Sequence, residues 1–159
     1  MTTTRPKASV VPFTHTAEGT GVLQRVVVGG DAGHTFEVDT YPAFGGRDSS
    51  PSPLSYVLAA LSSCNQVTGS VVAKELGITL GAWSFEVRGD LDTAVMVSGA
   101  DGNANFDSVT VTVAVETDAD EQTFARFAEE TERRCPVTQL FRRSGLTYTS
   151  DWTRRPVAA

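Results

Sequence analysis

The sequence predicts a single mixed α+β domain, and three observations carry that prediction. Alternating apolar positions mark strands early, midway and late in the chain; one long helical period runs from Leu54 to Leu76; and a proline splits a second helical stretch in two. A length of 159 residues suits one hydrophobic core, enough to bury about two-thirds of the surface exposed by the unfolded chain. The ends, 1–9 and 154–159, read as loose tails.

Gly21 to Val28 alternates, Gly29-Gly30-Asp31 supplies a turn, and His34 to Asp39 alternates again, which predicts an antiparallel hairpin. Tyr41 to Ser52, with Pro42, Gly45, Gly46 and Pro51, is a loop. Beyond it Leu54, Val57, Leu58, Leu61, Cys64, Thr68, Val71 and Val72 recur at intervals of three and four, so a helix is expected with Cys64 facing inward. Ser52 suits its N-cap, Pro53 its first position and Gly77 its stop. Ala, Ser, Gly and Val dominate this helix, a weak helix-forming set, so packing must stabilise it and its place is central. Ala82 to Arg88 and Val109 to Glu116 read as strands joined by a polar segment containing Asp101-Gly102-Asn103, an irregular turn or a short hairpin. A second helix opens at Asp118, three before Glu121, with Phe124, Phe127, Ala128 and Thr131 on one stripe. Pro136 excludes Cys135 from the helical region and starts a short helix to Gly145. Leu146 to Trp152 closes the fold as a strand.

Thirteen basic against nineteen acidic side chains give a net charge of −6, the wrong sign for nucleic acid or an anionic membrane surface. No run approaches the roughly 20 apolar residues of a membrane span, and no signal-like segment follows the first residues, so a cytoplasmic location is expected. His15 and His34 are the only histidines and sit in no HExxH or CxxC pattern, so no metal is expected. No GxGxxG, P-loop or GxSxG is present, and no cofactor is called for. Two cysteines in a reducing compartment form no scaffold; a bond between them would be catalytic or redox-sensing.

The chemistry therefore rests on Cys64 and Cys135. At an N-cap, Cys135 meets the positive end of the short helix, which favours a thiolate by roughly 0.3 to 2 kcal/mol. Cys64 sits near the middle of its helix, where no dipole end can help. Moving its pKa from about 8.5 to about 6 takes roughly 3.4 kcal/mol. A guanidinium about 4 Å away supplies on the order of 4 kcal/mol at an effective dielectric of 20, before desolvation. A reactive Cys64 thus needs an arginine from elsewhere. On spacing and periodicity alone, two cysteines on apolar helix faces are usually inert core residues.

The text around both cysteines adds to this. Gly45-Gly46-Arg47-Asp48-Ser49-Ser50-Pro51-Ser52-Pro53-Leu54, followed by Val57-Leu58-Ala59-Ala60-Leu61-Ser62-Ser63-Cys64, resembles the loop and central helix of the OsmC/Ohr family. Arg134-Cys135-Pro136-Val137 is similar to that family's Cys-Pro-Val segment, and Val87 to Asp92 and Phe106 to Val115 resemble its two middle strands. The resemblance spans Gly19 to Trp152. It implies an intertwined α+β homodimer with antiparallel sheets around central helices and sites at the subunit interface. It also implies a thiol peroxidase: an organic hydroperoxide oxidises Cys64 to a sulfenic acid, Cys135 condenses with it to a disulfide, and an external dithiol reduces the pair. Arg25 stands where the family's activating arginine is expected, with Arg47 as the second candidate. The hydroperoxide-reductase branch carries a glutamate in the first turn of the central helix; here that turn reads Pro53-Leu54-Ser55-Tyr56, without an acid. The alternative function is a non-catalytic OsmC-like protein that binds a small ligand or senses redox state.

Overall fold

A computed structural model describes residues 10–29 and 33–157, which group into two compact units, up to Ser55 and from Tyr56 onward. The turn residues Gly30 and Asp31, the expected tail 1–9 and residues 158–159 lie outside the described residues.

In the first unit β1 (His15–Thr20), β2 (Leu23–Val28) and β3 (Thr35–Val38) form an antiparallel sheet in that order. The β2–β3 pair is the expected hairpin, and it sets Arg25 opposite Glu37. β1 was not expected, because HTAEGT has no apolar alternation and all six of its residues are exposed. It pairs with β2 and sets Glu18 on the other side of Arg25. A single 3₁₀ turn, Pro42–Phe44, interrupts the following loop. Asp39 organises the rest of it. Its buried carboxylate accepts the Arg47 N–H at 3.1 Å, the Ser49 N–H at 3.0 Å and the Ser49 hydroxyl at 2.7 Å. The Ser49 amide and hydroxyl hold this carboxyl well below the usual range.

Helix α1 (Pro53–Leu76) begins and ends where its caps place it. The Ser52 hydroxyl accepts the Ser55 N–H at 3.1 Å. At the other end Gly77 has φ 69°, which returns the Ile78 N–H to the Ala73 carbonyl at 3.2 Å.

The second unit continues with β4 (Leu80–Asp90), α2 (Ala94–Ser98), β5 (Ser108–Thr117), α3 (Glu121–Arg134), α4 (Pro136–Arg143) and β6 (Thr147–Arg155). Its sheet order is β4-β5-β6, with β5 antiparallel to β4 and parallel to β6. Parallel pairing needs a long crossover, and α3 with α4 supplies it. Three expectations are corrected here. The segment between β4 and β5 is not wholly irregular, since it contains α2, whose five residues are too few to show a helical period. α3 opens after Asp120, whose carboxylate accepts the Thr123 N–H at 2.7 Å; Asp118 instead accepts the Thr79 N–H at 2.7 Å. β6 runs through Arg154 and Arg155, which are therefore not tail, and Arg154 donates to the Ala119 carbonyl at 3.2 Å.

The core lies against one face of β5. Val109, Val111, Val113 and Val115 are all buried there. Leu61 and Val72 of α1, Phe124 and Phe127 of α3 and Phe141 of α4 belong to the same cluster. Gly69 lets α1 approach Trp83, because a Cβ at this position would stand 2.6 Å from the indole ring. Among the described residues no helix is long and apolar enough to cross a membrane.

Candidate functional site: a dithiol at the start of a helix

Cys135 is the single residue between α3 and α4. Its backbone is extended, φ −72° and ψ 112°, because the Pro136 ring disfavours the helical region for the residue before it. Its N–H closes α3 on the Thr131 carbonyl at 2.9 Å, and its fully buried sulfur caps α4, accepting the Thr138 N–H at 3.4 Å. Cys64, half-buried on α1, lies beside the Cys135 thiol, with the Val137 amide and the Thr68 hydroxyl near its sulfur. The opening turn of α4 faces both sulfurs: Pro136 has no N–H, the Val137 amide lies near Cys64, and Thr138 donates to Cys135. Cys64 does receive help from a helix end, contrary to the expectation from its mid-helix position; the helix is α4 and not its own.

Burial pushes the Cys64 thiol above the ordinary cysteine range. The Val137 amide and Thr68 hydroxyl oppose this, while the neighbouring Cys135 adds to it. The opposing donors are neutral dipoles, and desolvation outweighs them. Thr68 lies four positions after Cys64, one helical turn, so the helical period could have found it. Val137 and Thr138 are the second and third residues of a helix capped by Cys135, so capping geometry could have found both.

Arg25 and Arg47 belong to the first unit. Arg25 is exposed on β2 between Glu18 and Glu37 of the flanking strands. Arg47 is exposed in the loop, its backbone N–H fixed by Asp39, a residue the sequence reading passed over. Among the described residues no three His, Cys, Asp or Glu side chains gather where they could hold a metal ion.

Beside the dithiol an apolar groove of about 360 Å³ is lined by Val57, Ala60, Phe106, Val137, Leu140 and Phe141, with Asn105 and Ser144 as its polar members. The Asn105 side-chain amide donates to the Ser144 hydroxyl at 3.0 Å. The inward face of α1 also differs from expectation. Leu61, Asn65, Gly69, Val72 and Ala73 are its buried residues, whereas Val57 and Val71 are 44% and 48% exposed. With Ala60, Cys64 and Val67, they form a second stripe at alternating intervals of three and four, exposed at every position but the half-buried Cys64, Val67 being 67% exposed. Eight positions at helical spacing concealed two stripes, one facing the sheet and one flanking it.

The chain is thus a mixed α+β protein in which two cysteines lie together at a helix start. The profile of the OsmC family, OsmC-like protein, matches residues 46–150, and the chain belongs to that family. None of the curated proteins compared with it matches in sequence. Among solved structures, an OsmC-like protein from Mycoplasma pneumoniae superposes with a TM-score of 0.76 at 17% identity, over 91% of this chain and 97% of that one. An organic hydroperoxide resistance protein from Elizabethkingia anophelis gives 0.71 at 18% identity, over 94% and 100%. The organic hydroperoxide resistance protein OhrB of Bacillus subtilis gives 0.60 at 19% identity, over 91% and 100%. At these identities the likeness establishes the fold.

Proposed function

We propose that this protein is a thiol peroxidase that reduces organic hydroperoxides, with Cys64 as the attacking thiol and Cys135 as its resolving partner. The observation that carries the reading is the meeting of the two thiols at one helix start despite 71 positions of separation, a difference of 135 and 64. The Cys64 thiolate attacks the O–O bond, one oxygen leaves as an alcohol, and the sulfur becomes a sulfenic acid. Cys135 then attacks that sulfur; the S–S bond forms, the S–O bond breaks, and hydroxide leaves with the Cys135 proton as water. An external dithiol restores both thiols. The groove between Val57 and Phe141 suits a hydrocarbon tail better than hydrogen peroxide. Arg25 is the first candidate for the positive charge that Cys64 needs, and Arg47 the second.

Cys64→Ser is expected to abolish consumption of cumene hydroperoxide in the presence of dithiothreitol, because a serine hydroxyl is no comparable nucleophile at neutral pH. Cys135→Ser is expected to consume about one peroxide per chain and to hold a sulfenic acid on Cys64 that a dimedone probe labels. Equal loss in both variants with no trapped sulfenate would sink the mechanism. Arg25→Ala should slow the first step; a slowing confined to Arg47→Ala would move the activating role into the loop.

A second reading, ligand binding or redox sensing without turnover, is favoured by one observation: the groups acting on Cys64 leave its thiol raised. Wild-type protein that forms the disulfide once but fails to turn over with dithiothreitol or a lipoyl dithiol would select it.

A further inference from the structure

Each cysteine has a buried polar neighbour, Asn65 directly after Cys64 and Thr138 three residues after Cys135, and these two bind each other. The Thr138 hydroxyl donates to the Asn65 carbonyl oxygen at 3.1 Å, and the Asn65 amide donates to the Leu61 carbonyl at 3.0 Å; neither residue has any exposed surface. We infer that Asn65 and Thr138 form a latch between α1 and α4 that positions the two sulfurs for disulfide formation, a role that rests on the dithiol reading above.

Stability alone does not account for such a pair. Replacing both partners of a buried hydrogen bond by apolar groups of similar shape is nearly neutral or stabilising. What the bond adds is direction and a fixed length, which apolar contact does not impose. That constraint falls where position matters most. Thr138 gives its backbone N–H to Cys135 and its side chain to Asn65, while the amide of the preceding residue lies near Cys64. A slide of α4 along α1 would uncouple the Val137 amide from one sulfur and the two sulfurs from each other. The other side of the latch is also tied. Thr138 lies near the Tyr148 hydroxyl, and Tyr148 reaches the buried Glu132 carboxylate at 3.4 Å. Glu132 also takes the Trp152 indole N–H at 3.1 Å and an ion pair from Arg142 of α4. α3, α4 and β6 are therefore joined in one network, and Asn65 is its contact with α1. Both residues are positioning residues: neither touches the reacting sulfur through its own side chain in the bonds described.

The test needs no peroxide. In the full chain, the equilibrium between the dithiol and the Cys64–Cys135 disulfide is measured against a dithiothreitol couple, beside the pH profile of Cys64 alkylation. Thr138→Val is expected to lower the disulfide equilibrium constant by about five- to tenfold, the worth of one hydrogen bond, and to move the alkylation midpoint upward. Thr138→Ser is expected to restore both. The double variant Asn65→Leu, Thr138→Val separates position from stability: it should recover the melting temperature and not the disulfide constant, and it carries the comparison if Thr138→Val alone does not fold. A disulfide constant within twofold of wild type in either valine variant overturns the latch, as does a wild type that forms no such disulfide. Wild type that forms the disulfide but consumes no cumene hydroperoxide removes the peroxidase reading and leaves the latch standing.

Discussion

At the scale of single residues, the raised Cys64 thiol has a consequence for stability. A group whose pKa is higher in the folded chain contributes stability that is fully present below its unfolded pKa, about 8.5 for cysteine, and is lost as pH rises through the folded value. Tyr148 behaves in the same sense at higher pH, since burial foremost, with the Glu132 charge behind it, pushes its phenol well above the ordinary range. The urea midpoint of the reduced protein is thus expected to fall from about pH 8.5 upward. Cys64→Ser should remove the early part of that fall and Tyr148→Phe the part above about pH 10; a fall unchanged in both variants would refute the assignment. The cysteines were legible in the sequence because Cys-Pro and Cys at helical spacing are local signals. Asn65 and Glu132 were not, because an amide and a carboxylate betray nothing of their burial until partners from other elements, Thr138 and Trp152, close around them.

At the scale of elements, α1 shows how close approach outranks propensity. Gly69→Ala would gain about 1 kcal/mol of helix propensity in an open helix. Here the added methyl meets the Trp83 ring, itself enclosed by Phe85 at 5.6 Å, Phe127 at 5.9 Å and Trp152 at 6.1 Å. Overpacking of this kind costs about 1–3 kcal/mol. Net destabilisation is therefore expected in urea unfolding, and a variant more stable than wild type would show that the indole yields. The helix itself was legible to the residue, from Pro53 to Leu76, because both caps are written in the chain. β1 was illegible, since a strand exposed along its whole length needs no apolar alternation, and α3 was placed early because Asp118 and Asp120 offer the same carboxylate two positions apart.

At the scale of the whole molecule, the second stripe of α1 bears on assembly. At the far end of that stripe Val67 and Val71, one turn apart, are exposed beyond the dithiol and the groove, and a second copy presenting the same pair is the occupant we propose. Light scattering at micromolar concentration is expected to give about twice 16.9 kDa. Val67→Lys should shift the protein toward the monomer and leave the fold of each chain intact by circular dichroism; wild type at the monomer mass would set the proposed homodimer aside. The mixed α+β class was legible from the order of periodicities. The parallel partnership of β5 and β6 was not, since strand direction is settled by how α3 and α4 cross the sheet.

The unequal burial of the two sulfurs also sets a direction for electrons. Cys135 has no exposed surface and Cys64 retains some. In a bond between them, an incoming thiolate therefore finds its approach at Cys64, and Cys135 departs toward the Thr138 amide that already faces it. In the proposed cycle reducing equivalents would enter through the same atom by which oxidising equivalents arrive, so any mixed disulfide caught during regeneration is expected on Cys64 alone.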